Sequence, residues 1–195
     1  MKSKISSCLV ILALGVAARA DTLKIDPVHS SVGFKIRHLF ANVTGRFTTV
    51  AGTINVDPGH PENASVDATI AIKSIDTASA MRDKDLRGEN FFDADKFPEM
   101  TFKSTKVVLT GSNQADVTGD LTLHGVTKPV TLNVNFLGKG PGMMGGMTTG
   151  WEATGSLKRS DYGLIWSKTI EGTSLVGDDV SIDLEVTADE SSPKP

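Results

Sequence analysis

The sequence predicts an all-β fold of eight antiparallel strands, each wetted on one face, with one short helix and loop insertion around 77–98. Three observations carry that prediction. Apolar residues recur at every second position through most of the chain, the pattern of a strand with one buried face. Turn-forming clusters separate the alternating segments by spacers too short for parallel crossovers, which need a dozen residues or more. The length of 195 residues, 39% hydrophobic with 19 glycines besides, suits a single globular domain.

The N-terminal segment reads as an export signal. Lys2 and Lys4 form a basic start, an apolar run of about ten residues follows from Leu9 to Ala18, and Ala18-Arg19-Ala20 offers small residues at −3 and −1. That run is too short for a membrane-spanning helix, and Cys8 precedes it, the wrong position for a lipoprotein cysteine. The expected division is therefore a cleaved signal peptide at 1–20, one β-barrel domain at 21–190 and a disordered tail at 191–195. Without Lys2, Lys4 and Arg19 the chain keeps 17 basic against 23 acidic residues and no cysteine. An acidic, thiol-free, exported protein gives no reason to expect nucleic acid, a disulfide scaffold or a thiol nucleophile.

The strands follow in order. Val32, Phe34 and Ile36 form the first stripe, Ile54 and Val56 continue the second, and Val66, Ala68, Ile70 and Ile72 make the third. Met100 and Phe102 begin the fourth, while Val117, Leu121 and Leu123 mark the fifth. Val130 to Phe136, Trp151 to Leu157, and Val180 to Val186 alternate in the last three. Asp57-Pro-Gly, Thr110-Gly-Ser-Asn, Gly125 to Pro129 and Gly177-Asp-Asp are the expected reversals. Residues 76–98 resist a strand reading: dense charge, Asp76 or Thr77 as N-cap and Gly88 as stop predict one short helix and an irregular loop.

Eight one-sided strands can pack as two sheets or close into a barrel, and closure removes exposed edges. An eight-stranded barrel is either just filled or holds one small ligand. Seven small inward residues (Gly52, Ala68, Ser104, Ala115, Gly119, Ala153 and Gly155) leave room that bulkier ones would fill, which permits a cavity without requiring one.

Catalytic and metal signatures are weak. His29 and His38 are nine residues apart on one strand, so they face opposite ways; His60 sits in a turn and His124 at a strand end. Ser30 follows His29 directly and points away from it. No Gly-x-Ser-x-Gly elbow occurs. Gly140, Gly142 and Gly145 spell a dinucleotide fingerprint, but an alternating strand follows where a helix is required. Met143, Met144 and Met147 in the same loop suit either Cu(I) or an adaptable apolar lid, and the lid is the preferred reading. The run from Arg82 to Glu89 leads into Phe91-Phe92, which read as a plug or gate at one barrel end.

Several ordered motifs resemble the YceI-like family of polyisoprenoid-binding proteins. They are His29-Ser-Ser-Val-Gly-Phe34 with His38, Gly45-Arg-Phe47, Ser74-Ile-Asp-Thr77 and Met81-Arg-Asp83. Leu86-Arg87, Phe91-Phe92-Asp93 and Phe97-Pro98 follow, then Gly119 through Pro129, Arg159-Ser-Asp-Tyr-Gly163 and Val176-Gly-Asp-Asp-Val180. Tyr162 stands where the family often has Phe.

The resemblance implies an extended eight-stranded antiparallel barrel, lipocalin-like, with an apolar tunnel for an isoprenoid or other long-chain lipid. It also implies a periplasmic or secreted location, often a homodimer, and for some relatives a link to quinone metabolism or a membrane b-type cytochrome. No cofactor is expected beyond the lipid itself, and no metal. The expected tunnel lining is Val32, Phe34, Ile36, Ile54, Ile70, Phe102, Leu121, Val134, Phe136 and Trp151. At the mouth, Arg82, Asp83, Phe91, Phe92, Arg159 and Asp161 are candidates to meet a headgroup or to fix loops to the barrel. A non-enzymatic lipid carrier leads. Two rivals stay open: a packed scaffold acting through a membrane redox partner, and an enzyme acting on bound lipid through Arg82, Asp83 and His38.

Overall fold

The computed structural model describes residues 21–142, 145–170 and 173–190. The expected signal peptide (1–20), the tail (191–195), Met143 and Met144 lie outside them. The first strands are β1 (Asp21–Ile25), β2 (Ser31–His38), β3 (Ala41–Phe47), β4 (Val50–Val56), β5 (Ser65–Ala71) and β6 (Ile75–Asp76), followed by helix α1 (Ala80–Arg87). Then come β7 (Glu99–Leu109), β8 (Gln114–Leu123), β9 (Val126–Pro141) and β10 (Met147–Lys158). The short pair β11 (Thr169–Ile170) and β12 (Thr173–Ser174) precedes the last strand, β13 (Val176–Glu190).

The sheet runs β1-β4-β5-β7-β8-β9-β10-β13 and closes by pairing β13 back to β1, all antiparallel. The barrel therefore has eight staves in up-and-down order. Its first stave is β1 continued by β2, because Leu23 pairs Glu190 at one end of β13 while Ile36 pairs Val180 near the other. Its second is β3 continued by β4, which return alongside β2 and β1. The stripes at 32–36 and 50–56 are only half of each stave. The missing halves, Asp21–Ile25 and Ala41–Phe47, carry just two or three alternating apolar positions apiece, one of them Gly45, too few to register as strands.

Two expected reversals resolve differently. The turn before β9 is His124-Gly125 alone, and Val126 to Pro129 already pair with β8. Both turn residues have positive φ, 51° and 76°, as a two-residue hairpin of matching twist requires. A Cβ on Gly125 would also lie 2.6 Å from the Phe97 ring. Gly177-Asp178-Asp179 is no reversal: it lies in β13, where Val176 pairs His38 but Val180 pairs Ile36. Four steps oppose two, a bulge that turns backbone groups outward, and Gly177 O and the Asp178 carboxylate meet Arg159 and Ser160 there.

Helix α1 starts later than the charge pattern suggests. Its N-cap is Ser79, whose Oγ accepts from the Arg82 N–H, and Gly88 follows its last turn. Ala78, at φ 58°, reverses the chain just before it. Thr77 is thereby buried under the helix, and Asp76 accepts from the Ala78 N–H at 2.9 Å.

The glycines of the inward stripes do not create space. A Cβ on Gly119 would lie 2.4 Å from the Phe102 ring, and one on Gly155 would lie 2.8 Å from Leu132 Cδ2. Neighbouring side chains already fill those gaps, so the glycines serve close packing within the wall. Ser104 sits at a bulge of β7 and accepts the Val66 N–H at 2.8 Å.

Candidate functional site

The inward stripes enclose a cavity of about 1320 Å³ along the barrel. Typical small-molecule pockets hold about 300–1,000 Å³, so this one exceeds them. On β9 alone the lining extends from Val130 to Lys139, about 30 Å along a strand at ~3.3 Å per residue. All ten residues expected to line a tunnel, Val32, Phe34, Ile36, Ile54, Ile70, Phe102, Leu121, Val134, Phe136 and Trp151, border it. Alternation places all ten on inward faces, and the family resemblance implies a tunnel between those faces.

Charge is confined to the two ends. Arg82, Lys84, Asp85, Arg159 and Lys168 border the cavity at the end carrying α1, hereafter the helical end; Asp21 and Lys139 border it at the far end. Between them the wall is apolar. A long uncharged ligand can lie there without unpaired charge, whereas an ionic metabolite would leave its charge desolvated.

At the helical end the two phenylalanines part company. Phe92 turns inward and meets Phe47 edge-on at 5.9 Å, and Phe47 meets Phe34 at 5.7 Å. Phe91 instead packs on Trp166 at 4.9 Å, joining the loop after α1 to the segment before β11. Both border the cavity.

The charged mouth candidates separate into two kinds. Arg82 and Arg159 border the cavity, but both are engaged with backbone or hydroxyl oxygens. Arg82 donates from Nε to Thr77 Oγ1 at 2.8 Å and from Nη2 to Thr77 O at 2.6 Å. Arg159, 9% exposed, donates to Gly177 O at 2.7 Å, to Trp166 O at 2.9 Å and to Leu164 O. Burial pulls its pKa below the usual arginine value, and Asp178 opposes that only in part.

Asp83 and Asp161 do not border the cavity. Asp83 is buried and accepts from the Thr77 N–H at 2.9 Å and its hydroxyl at 2.5 Å, binding α1 to the chain entering it. Asp161 is on the outside, 3.0 Å from Lys128 Nζ. An alternating pattern gives no handle on such loop residues. Nor could it find Met81 and Lys84, which line the helical end from α1, or Leu164, Trp166, Lys168 and Leu175, which line it from the segment between β10 and β13.

The histidines stay apart. His29 lies in the break between β1 and β2, its Nδ1 2.6 Å from Asp26. His124 Nδ1 is 3.1 Å from Tyr162 O. Among the described residues no cluster of three metal-ligating side chains occurs.

With that geometry in place, the relationships of the chain are decisive. A YceI-like domain matches residues 23–188, all eight staves. The chain belongs to the YceI-like family. Among YceI-like relatives, a UPF0312 protein of Vibrio parahaemolyticus is 41% identical over 156 residues, covering 78% of this chain and 82% of that protein. A YceI protein of Campylobacter jejuni, solved by crystallography, superposes with a TM-score of 0.70 at 34% identity, covering 80% and 90% of the two chains. A polyisoprenoid-binding domain from Saccharophagus degradans shares the fold at TM-score 0.65 and 16% identity, over 89% of this chain and 100% of that one.

Proposed function

We propose that this YceI-like protein is a periplasmic, non-enzymatic carrier that holds an isoprenoid or other long-chain lipid inside its barrel. The observation that carries the proposal is the cavity: closed by eight strands, long, and free of charge along its middle. The Saccharophagus domain is described as binding polyisoprenoids, which supports the same ligand class for this fold. The signal-like N-terminus supports the location.

The energetics suit such a ligand. Each buried methylene contributes about 0.8 kcal/mol, so ten contribute roughly 8 kcal/mol before the cost of ordering the chain. Shape and burial can therefore hold a long tail with no strong polar anchor. Arg82 and Arg159 are already bonded to carbonyl and hydroxyl oxygens, which makes them builders of the mouth first.

The test replaces Phe34 and Phe136 together by Asp, placing charge toward both ends of the apolar wall. Binding of a fluorescent long-chain fatty acid should weaken more than about a hundredfold while circular dichroism still shows the folded barrel. Binding retained by the folded double variant would overturn the tunnel assignment.

A further inference from the structure

Among the described residues three buried side-chain polar atoms lack a hydrogen-bond partner: Arg87 Nε, Thr149 Oγ1 and the Tyr162 hydroxyl. Of these residues Thr149 alone borders the cavity. It is 3% exposed, so neither the protein nor bulk water satisfies its hydroxyl. The other charged, amide and hydroxyl side chains that border the cavity are exposed or already bonded. Buried polar groups are normally paired, and one left unpaired opposes folding.

Thr149 belongs to the far end. It lies on the inward face of β10, two residues before Trp151. Its neighbours in the sheet are Lys139 of β9 on one side and Ala188 of β13, fully buried, on the other. Nearer the rim, Glu190 follows Ala188 on the same face of β13, paired with Leu23 of β1, and Asp21 stands two residues from Leu23. Lys139 Nζ reaches across β10 to both, 3.2 Å from Asp21 and 2.7 Å from Glu190. The ion pairs therefore lie toward solvent, and Thr149 lies one layer inside them.

We infer that Thr149 is the polar anchor of the cavity, its hydroxyl bonding an uncharged oxygen of the bound lipid, an alcohol or a quinone carbonyl. Rotation about χ1 presents Oγ1 to such an oxygen without moving the strand. A hydroxyl donates and accepts, so it serves either kind. An acidic headgroup suits the place less, because Lys139, the described cation bordering the cavity at this end, is already shared by two carboxylates. The oxygen-bearing end of the lipid thus sits at the far end, and its tail runs toward α1. The inference rests on the carrier reading and adds to it a ligand chemistry and an orientation.

Displacement of 1,6-diphenylhexatriene, a fluorescent hydrocarbon without oxygen, tests it, with geranylgeraniol and decylubiquinone as competitors. Thr149→Val removes the hydroxyl and keeps the shape, whereas Thr149→Ser keeps the hydroxyl. The hydrocarbon should bind the wild type and both variants alike. At least one competitor should lose about tenfold in affinity on Thr149→Val and keep its affinity on Thr149→Ser. The competitor that does so names the oxygen. The empty Val variant should melt no lower than the wild type, since it buries no unpaired hydroxyl.

Competitors that act equally on the wild type and Thr149→Val, or on neither, while the hydrocarbon binds, would overturn the anchor and leave the carrier reading standing. A marked fall in the melting temperature of the empty Val variant would also overturn it, because the hydroxyl would then have a partner within the fold. If no probe enters any of the three proteins, the carrier reading falls and the anchor falls with it.

Discussion

The two ends of the barrel are held by different physics. At the helical end, irregular chain is fixed by one buried arginine, Arg159, and two half-buried ones, Arg82 and Arg87. Arg159 gathers Gly177, Leu164 and Trp166 through their carbonyl oxygens, Arg82 holds Thr77, and Arg87 donates to Ile75 O at 2.8 Å. At the far end, regular strands are cross-linked on the surface: Lys139 bridges Asp21 at 3.2 Å and Glu190 at 2.7 Å, joining β9 to both chain-terminal strands. Glu190 foremost, with Asp21, holds the Lys139 pKa above the usual lysine value against partial burial. The hydrogen-bonded ladder closes the far end, and the ion pairs only trim it. At the helical end irregular chain extends beyond the ladder and depends on side chains for its shape.

The sharpest way to break this contrast is Arg159→Met. It strips the donors from three carbonyl groups in a nearly dry site, where each hydrogen bond to a charged donor contributes about 1.5–3 kcal/mol. Urea unfolding should show a loss of at least about 3 kcal/mol. A loss under 1 kcal/mol would mean the helical end is held by its aromatic contacts instead.

Lys139→Ala sharpens the contrast from the other side. Exposed pairs contribute about 0–1 kcal/mol and fade with salt. The same unfolding measurement should show less than about 1 kcal/mol at low salt and nothing at 1 M. A loss matching that of Arg159→Met would erase the distinction between the ends.

The smallest effect belongs to neither end. The Asp26 carboxylate raises the His29 pKa, and His29 lowers that of Asp26. The stability due to His29 is complete below the ordinary histidine value and is lost as pH rises through the raised folded value. The part due to Asp26 holds above the ordinary aspartate value and is lost as pH falls through the lowered one. Both groups are solvated, so the expected change is slight: thermal midpoints should fall a little from pH 5.5 to pH 8.5, and His29→Gln should flatten that difference. An equal fall in the variant would assign the change to other groups.

The same contrast explains what could be read from the residues. Wherever the wall is regular, period-two alternation located both the strand and its inward face, and so found Val134, Phe136 and Trp151 without any tertiary information. The pattern failed where side chains meet backbone across the sequence. Gly177-Asp178-Asp179 has the composition of a turn, and only its partners Arg159 and Ser160 show why the strand bulges there instead. Asp83 looks like one charge in a solvated run until Thr77 is seen beneath it. Gly119 looks like vacant volume until the Phe102 ring is placed over it. Each of these depends on a contact made only once the chain has folded, from six residues away for Asp83 and Thr77 to eighteen for Arg159 and Gly177, and no alternating pattern encodes that.

The central claim is that the cavity carries a long apolar ligand. The most direct measurement is mass spectrometry of an organic extract of the protein, purified without detergent from the cells that make it. The account predicts one long-chain lipid per barrel, an isoprenoid first among the candidates. A barrel that repeatedly yields no lipid would contradict it, and would favour a scaffold acting through a partner.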